Sequence, residues 1–241
     1  MNPAPRIRPD RFLIFHTAAI LPVTPFSDLA AAAYCPRQLY YRRREDDRSL
    51  PAEVRDRIEL AYRYPELVDA PDSVLRRLPI RREPAAYRRN LSRLRERDLY
   101  DRLVDPAETR AFLSGRECHG VVHKLLAGVD GGPPMPVVCS PGEPPDRGVW
   151  GPQSVRAVAA AKALAWEWEQ PVRRALLEYP AVGVVREVRL TTRRKAAYRR
   201  ALRAVRAIDG PPARVDDDRC TSCDYRERCG TRRRSLRSLL G

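Results

Sequence analysis

Three cysteines near the C-terminus have the spacing of a metal-binding or cluster-binding site. Cys220, Cys223 and Cys229 form a C-x2-C-x5-C run, in which one turn of chain can present the first two thiolates to a single centre. The five residues that follow let the chain loop back with the third thiolate. Tetrahedral zinc and a cubane iron-sulfur cluster each need a fourth ligand. The sequence offers five candidates for it: Cys35, Cys118, Cys139, His119 and His123.

Cysteine spacing alone leaves the nature of this centre open. Thiolates bind zinc and iron-sulfur clusters alike, and reduced cysteines in a C-terminal tail can also bind nothing. Six cysteines in a chain of 241 residues do not make a small secreted disulfide scaffold. The pattern therefore favours metal chemistry.

A second cysteine motif lies near the N-terminus. Residues 26–29 read F-S-D-L and residues 34–41 read Y-C-P-R-Q-L-Y-Y, and this stretch resembles the N-terminal signature of the CRISPR-associated RecB-like exonucleases. The C-terminal run, with Tyr225 between its last two cysteines, resembles the closing signature of that family. Family members bind a 4Fe-4S cluster through one N-terminal and three C-terminal cysteines. The resemblance thus implies a 4Fe-4S cluster on Cys35, Cys220, Cys223 and Cys229.

The resemblance also implies a PD-(D/E)XK nuclease core, but its catalytic residues are replaced. Such nucleases hold Mg²⁺ or Mn²⁺ with an aspartate on one strand and a glutamate on the next, followed two residues later by a lysine. The matching frame is G-V-V-H at 120–123, a Gly/Pro turn, and V-C-S at 138–140. His123, Val138 and Ser140 stand for the aspartate, glutamate and lysine. Valine cannot bind a hard cation, and one imidazole is a poor Mg²⁺ ligand, so we expect weak or no cleavage.

Two alternatives would restore chemistry to this region. Displaced carboxylates would bind Mg²⁺ or Mn²⁺ and make the protein an active exonuclease; the candidates are Asp130, Glu143 and Asp146. Soft ligands would instead form a second metal site; the candidates are Cys118, His119, His123 and Cys139. Ordinary strand cysteines and histidines are the simpler interpretation of the second set. The glutamine and tyrosine that the family places on the following helix fall at Val158 and Lys162, and are also replaced.

Arginine dominates the charge of the chain. There are 46 Lys+Arg against 31 Asp+Glu, which gives a formal net charge of +15. Such a charge favours polyanionic partners, while a lysine-poor, arginine-rich chain also follows from genomic base composition. Two tyrosines lie among four arginines just after Cys35, a pattern that predicts phosphate contacts and base stacking on single-stranded DNA; a solvated basic helix end is the alternative. The residues are Arg37, Tyr40, Tyr41, Arg42, Arg43 and Arg44.

Hydrophobic periodicity predicts the elements that position these residues. Ser27-Asp28 precedes strong helix formers and predicts a helix that breaks at Cys35-Pro36. Apolar spacing of three and four predicts helices over 53–64 and 85–104. Turn residues between two valine-rich runs predict a hairpin-like strand pair from Cys118 to Cys139. We further predict a helix over 155–169, a strand over 182–190 and a helix over 193–208.

The expected fold class is α/β. We predict a restriction-endonuclease-like PD-(D/E)XK core with helical insertions and an iron-sulfur lobe that joins the N- and C-terminal regions. The predicted parts are an N-terminal arm (1–25) with an apolar Phe12–Phe15 segment, a helical part (26–105), a nuclease-like α/β core (106–210) and the cysteine cluster with its basic tail (211–241). No apolar run reaches the roughly 18 residues of a membrane span, and the N-terminus lacks a signal-peptide cleavage site. We therefore expect a cytoplasmic protein with no membrane partner.

Three functions follow from these expectations. The favoured one is a protein that binds a 4Fe-4S cluster and DNA, single-stranded or with single-stranded ends, in CRISPR spacer acquisition; the resemblance implies the CRISPR integrase as a partner. The second is an active exonuclease with displaced metal ligands. The third is a zinc-stabilised adaptor that binds protein.

Overall fold

The computed structural model describes residues 23–45, 49–215 and 217–230, so the Phe12–Phe15 segment lies outside the described residues. Within them the chain has a mixed α/β fold. In chain order its elements are β1 (Thr24–Pro25), α1 (Phe26–Tyr34), α2 (Pro36–Arg42), α3 (Ala52–Glu59), α4 (Tyr64–Leu67), α5 (Asp72–Leu75), α6 (Pro84–Arg95), α7 (Tyr100–Val104), β2 (Glu108–Thr109), β3 (Phe112–Ser114), β4 (Cys118–Val121), β5 (Lys124–Leu126), β6 (Met135–Cys139), α8 (Gly151–Glu167), β7 (Arg174–Tyr179), β8 (Val184–Arg189), α9 (Thr192–Arg206) and α10 (Arg226–Cys229). Short 3-10 turns occupy Leu60–Tyr62, Pro180–Val182 and Asp218–Ser222.

A five-stranded mixed sheet in the order β2-β5-β6-β7-β8 forms the centre of the fold. Its β6 and β7 are parallel, with α8 between them in the chain, and the other neighbours are antiparallel. In this register Lys124 pairs with Val137, and Cys139 pairs with Glu178. A smaller sheet has the order β1-β4-β3. The chain passes from the small sheet to the large one at residues 122–123, so His123 lies at the junction.

Different helices cover the two faces of the large sheet. Successive strand residues point to opposite faces, so Val138 and Leu177 pack with α8, whereas Val137 and Leu176 pack with the helices of residues 52–104. The buried face of α8 is rich in alanine, and α1 and α9 pack against it. All five residues of β6 are buried, as expected for a strand covered on both sides.

An ion pair is buried on the face that the residue 52–104 helices cover. Lys124 Nζ lies 3.2 Å from Glu178 Oε1, and the two side chains are 1% and 0% exposed. The ammonium also donates to the carbonyls of Ala61 and Leu103, at 2.7 and 2.9 Å. Burial raises the pKa of Glu178, and the nearby Lys124 opposes that rise. One cation therefore connects strands β5 and β7 to two parts of the helical layer.

Close packing accounts for the glycine of β4. Gly120 has a φ of 153°, and a Cβ atom there would lie 2.7 Å from Cδ2 of the Phe26 ring. Phe26 is buried in the first turn of α1. A larger residue at position 120 would push α1 away from the strand that leads into His123.

Several predicted elements differ in their bounds. The helix predicted over 85–104 is two helices, because the chain turns between Arg95 and Tyr100. The first helix begins at Phe26 rather than after Asp28: Pro25, which pairs in β1, is the N-cap residue, and no side chain caps the helix. The strand predicted from residue 182 begins at Val184, because Gly183 adopts the left-handed conformation with φ 68° and ends a 3-10 turn.

Four strands were not predicted at all. They are β1, β2, β3 and β7. The omission of β7 matters most, because this strand is the parallel partner of β6 and carries Glu178. Among the described residues no helix is both long enough and apolar enough to cross a membrane.

Candidate cluster site and nuclease-like frame

Cys35 occupies a sharp break between two helices. Its backbone is extended, with φ −159° and ψ 116°, while its N–H still donates to Ala31 O at 2.8 Å and so ends α1. Pro36 then begins α2, a position where proline is favoured because its missing N–H needs no partner. The break therefore holds the thiol at a fixed point between the helices.

The C-terminal cysteines lie on two short helical turns. Cys220 is in the 3-10 turn and its Sγ lies 2.9 Å from Val215 O, Cys223 follows that turn directly, and Cys229 ends α10. The backbone N–H of Cys229 donates to Tyr225 O at 2.8 Å. The local hydrogen bonds thus curl the C-x2-C-x5-C run into a compact loop.

These two regions face each other across one cavity. Four cysteines line it together: Cys35, Cys220, Cys223 and Cys229. None of the four is in a disulfide, and Gln38 Nε2 lies 3.9 Å from Cys223 Sγ. Burial alone would lower the pKa of the Arg37 guanidinium, but its interactions with Tyr41 and then Cys229 together outweigh burial and raise it. A set of four thiols with no carboxylate fits a soft metal centre, either zinc or iron-sulfur.

The thiols are spread around the cavity wall. Among the described residues, no three His, Cys, Asp or Glu side chains have an arrangement that could hold a single metal ion.

The ends of the described chain are also joined by contacts that involve no cysteine. The Tyr41 hydroxyl donates to Arg228 O at 3.2 Å, and the Tyr225 hydroxyl donates to Glu45 Oε2 at 2.6 Å. Arg37 donates to Pro212 O at 2.6 Å. Burial, followed by the Glu45 interaction, raises the pKa of Tyr225 to about 12. Helix α2 and the cysteine loop therefore form one packed lobe.

This packing uses part of the basic segment that was predicted to bind DNA. Arg37 and Tyr41 hold the C-terminal loop, and Arg43 pairs with Asp28 at 2.8 Å. The Arg44 guanidinium covers the Tyr40 ring at 3.5 Å. Arg42 and Arg44 are exposed. The segment therefore has a structural side, which faces the cysteine loop, and an exposed side that carries arginine.

The three replaced nuclease positions lie around the end of β6. His123 N donates to Val137 O at 2.9 Å, and its Nδ1 accepts from Cys139 N at 3.0 Å. Val138 is buried against α8, and Ser140 follows the strand directly. Burial, with smaller contributions from Arg156 and other cations, lowers the pKa of His123 to about 3. The imidazole is therefore neutral at pH 7, with its proton on Nε2.

A short hydrogen-bond chain crosses the same strand end. The Gln153 amide donates to Ser140 Oγ at 2.7 Å and accepts from the Tyr179 hydroxyl at 2.5 Å. Gln153 lies in the first turn of α8, and Arg156 is one turn further on. Sequence reasoning missed both residues, because it expected the functional helix positions at Val158 and Lys162. Both of these are on α8, and Val158 is fully buried.

The displaced carboxylates do not share a site at this strand end. Asp130 is exposed in the turn before β6 with φ 52°, Glu143 pairs with Arg82 at 2.6 Å, and Asp146 is exposed. The proposed second metal site is also divided. Cys118 packs on the α8 face, whereas Cys139 packs on the opposite face of the sheet, and the His119 ring lies against Phe112.

The sequence matches no protein-family model and no curated protein. Function must therefore be inferred from the two sites themselves.

Proposed function

We propose that this chain is a DNA-binding iron-sulfur protein of the CRISPR-associated RecB-like exonuclease type, which acts in spacer acquisition with little or no cleavage of its own. The observation that carries the proposal is the shared cavity of Cys35 with the three C-terminal cysteines. Cysteines from distant parts of a chain converge in this way when a metal centre joins them. The two signatures that suggested the family contribute these same four residues.

In the proposed protein, the four cysteine thiolates hold a 4Fe-4S cluster. The cluster would add a covalent connection between α2 and the C-terminal loop. Gln38 donates toward one of these sulfurs and Arg37 interacts with another, and such hydrogen bonds and charges stabilise thiolates. The tyrosine and arginine contacts around the cavity join α2 to the C-terminal loop that carries three of these thiolates.

A PD-(D/E)XK core belongs to the same proposal. The parallel β6–β7 pair with α8 between them, and the antiparallel β5 beside β6, support such a frame. The frame provides no carboxylate at His123, Val138 or Ser140, so it lacks the carboxylate ligands that hold Mg²⁺ or Mn²⁺ in an active nuclease. We therefore assign it to DNA binding rather than to hydrolysis, and to a role beside the CRISPR integrase.

The test is anaerobic purification followed by metal, sulfide and DNA-binding measurements. We expect a brown protein with about four iron and four sulfide per chain, and salt-sensitive binding of single-stranded DNA. In a time course with Mg²⁺ or Mn²⁺ and labelled single-stranded DNA, we expect no shortening of the strand. A colourless protein that holds one zinc ion would contradict the cluster and favour the adaptor function. Cleavage that is lost on replacing Asp130, Glu143 and Asp146 together by alanine would establish the displaced-ligand exonuclease instead.

A further inference from the structure

An arginine without a counterion lies beside the replaced nuclease positions. Arg156, in the second turn of α8, has a buried Nε atom that no hydrogen-bond acceptor reaches. Within residues 23–45, 49–215 and 217–230, no salt bridge to its guanidinium is found. Burial lowers the pKa of Arg156, and repulsion from Arg42 acts in the same direction, while Cys139 opposes it. Arg156 is half-buried as a whole, so the protein keeps a guanidinium that reaches the surface while one of its buried donors has no protein acceptor.

The buried nitrogen is costly for the protein alone. A buried donor that lacks an acceptor destabilises the folded state, because the protein does not replace the hydrogen bond to water that the donor loses. The surrounding residues do not relieve the cost: His123 is neutral, and Arg42 carries the same charge. An external anion would supply both the missing charge and the missing acceptor. Arg156 therefore has the features of a ligand-binding group rather than of a structural one.

The chemistry around Arg156 favours phosphate. A guanidinium presents its donors in a planar fork that matches the oxygens of a phosphate. The seventeen-residue helix α8 begins five residues earlier, at Gly151, and the amino end of a helix of that length favours an anion. His123 adds a neutral imidazole whose Nδ1 accepts from Cys139. These groups are hydrogen-bond donors and positive charges, and none of them is a carboxylate.

We propose that Arg156 binds a DNA backbone phosphate directly, at the place in the frame where an active nuclease would hold its metal ion. This inference rests on the proposed function. In the nuclease, carboxylates hold a cation that contacts the phosphate; here a fixed guanidinium takes the position of that cation. A carboxylate beside Arg156 would neutralise the guanidinium and exclude the phosphate. The loss of the nuclease carboxylates and the presence of an unpaired arginine therefore belong to the same change of ligand.

The decisive experiment measures single-stranded DNA affinity as a function of salt for the full-length protein and three variants. Arg156→Gln should bind about tenfold or more weakly, because a hydrogen bond to a charged group is lost. Its slope of log affinity against log salt should be shallower by about 0.7, the value for one phosphate contact on a single strand. Arg156→Lys should keep the slope while losing part of the affinity, because the charge remains and the fork does not. Arg89→Gln, at an exposed position of α6 across the sheet from α8, is the matched control and should behave as the natural protein does.

Stability without DNA separates a ligand-binding role from a structural one. If Arg156 serves a ligand, Arg156→Gln should unfold at the same or a higher urea concentration than the natural protein. A lower unfolding midpoint together with unchanged DNA affinity would show a structural arginine and overturn the inference. If the natural protein and Arg156→Gln bind DNA with the same affinity and the same salt slope, the inference about Arg156 is wrong while the proposed function stands. Natural protein that does not bind DNA at all would overturn the proposed function as well.

Inorganic phosphate distinguishes the two sources of the anion. Millimolar phosphate should raise the unfolding temperature of the natural protein only slightly, and single-stranded DNA of equal phosphate concentration should raise it more, because many contacts act together on a strand. Equal stabilisation by both, removed in both cases by Arg156→Gln, would assign the site to free phosphate and contradict the DNA assignment.

Discussion

Tyr41 and Tyr225, which lie near the two ends of the described chain, stack with ring centroids 5.8 Å apart and ring planes 17° from parallel. The Arg228 guanidinium also lies 5.2 Å from the centroid of the Tyr41 ring. These contacts between protein side chains join helix α2 to the cysteine loop. They keep the elements that carry the four thiols together, which lowers the chain entropy that binding of a metal centre would cost.

Removing the stack should weaken retention of the metal centre. Tyr225→Leu keeps an apolar side chain but loses the stacked ring and the hydrogen bond to Glu45, at a cost of about 2 kcal/mol. We expect the visible absorbance to decay several times faster in the presence of a chelator. Tyr40→Leu, next to Tyr41 on α2, is the control, because its ring contacts Tyr41 only edge-on and is covered by Arg44. Equal decay rates in the two variants would show that the stack does not support the centre.

Serine substitution should separate the cluster cysteines from the strand cysteines. Cys35→Ser removes one of the four thiols that line the cavity, so we expect loss of visible absorbance and a clear fall in stability. Cys118→Ser should keep the iron and sulfide, since its Sγ lies in the core beside Ala159 O and the Tyr198 hydroxyl. Iron and sulfide analysis of both proteins decides the matter. Equal loss of iron from the two would refute the ligand assignment.

The helix break at Cys35 could be predicted from local chemistry alone. Proline disfavours the helical conformation in the residue before it and favours the first turn of a new helix, and both effects act within two residues. The same locality explains the success of the α8 and α9 predictions, whose apolar spacing is a property of one segment. By contrast, the turn that separates α6 from α7 interrupts a pattern that continues through it, because Leu99 and Leu103 keep the helical spacing.

The missed strand β7 shows where sequence reasoning ends. Its sequence, R-A-L-L-E-Y, contains a glutamate in what would be a continuous apolar run, and charged residues are rarely buried. Glu178 is buried because Lys124, on another strand, meets it. The burial of either residue can be predicted only if the other is known to lie beside it. The role of Arg156 could not be predicted for the same reason, because it depends on the absence of a partner in three dimensions.

The buried ion pair provides a double-mutant prediction. Lys124→Met should destabilise the protein by about 3–5 kcal/mol, because it leaves the Glu178 carboxylate buried without its cation. Lys124→Met combined with Glu178→Leu should recover much of this loss, since neither charge is then buried. Urea unfolding of the two single variants and the double variant measures the coupling. Additive losses in the double variant would show that the two side chains do not stabilise each other.

Acid sensitivity should depend on His123. Its pKa is about 3 in the folded protein and about 6.5 in an unfolded chain. Between these values the unfolded state binds a proton that the folded state does not bind, so stability falls as the pH decreases below about 6.5. The fall reaches at most about 1.4 kcal/mol per pH unit from this one group. Above pH 7 both states are neutral at this position, and the contribution no longer changes.

Substitution of His123 isolates this contribution. His123→Asn keeps an oxygen acceptor for the Cys139 N–H but does not titrate, so its stability should change less steeply with pH between 6.5 and 5. Urea midpoints of the natural protein and the variant, measured across that window with the metal centre in place, give the difference in slope. His119→Asn, in the adjacent strand β4, removes a histidine while leaving His123 intact and should keep the natural slope. If His123→Asn shows the same pH dependence as the natural protein, the folded imidazole gains a proton in this range, and its assignment as the neutral neighbour of Arg156 is wrong.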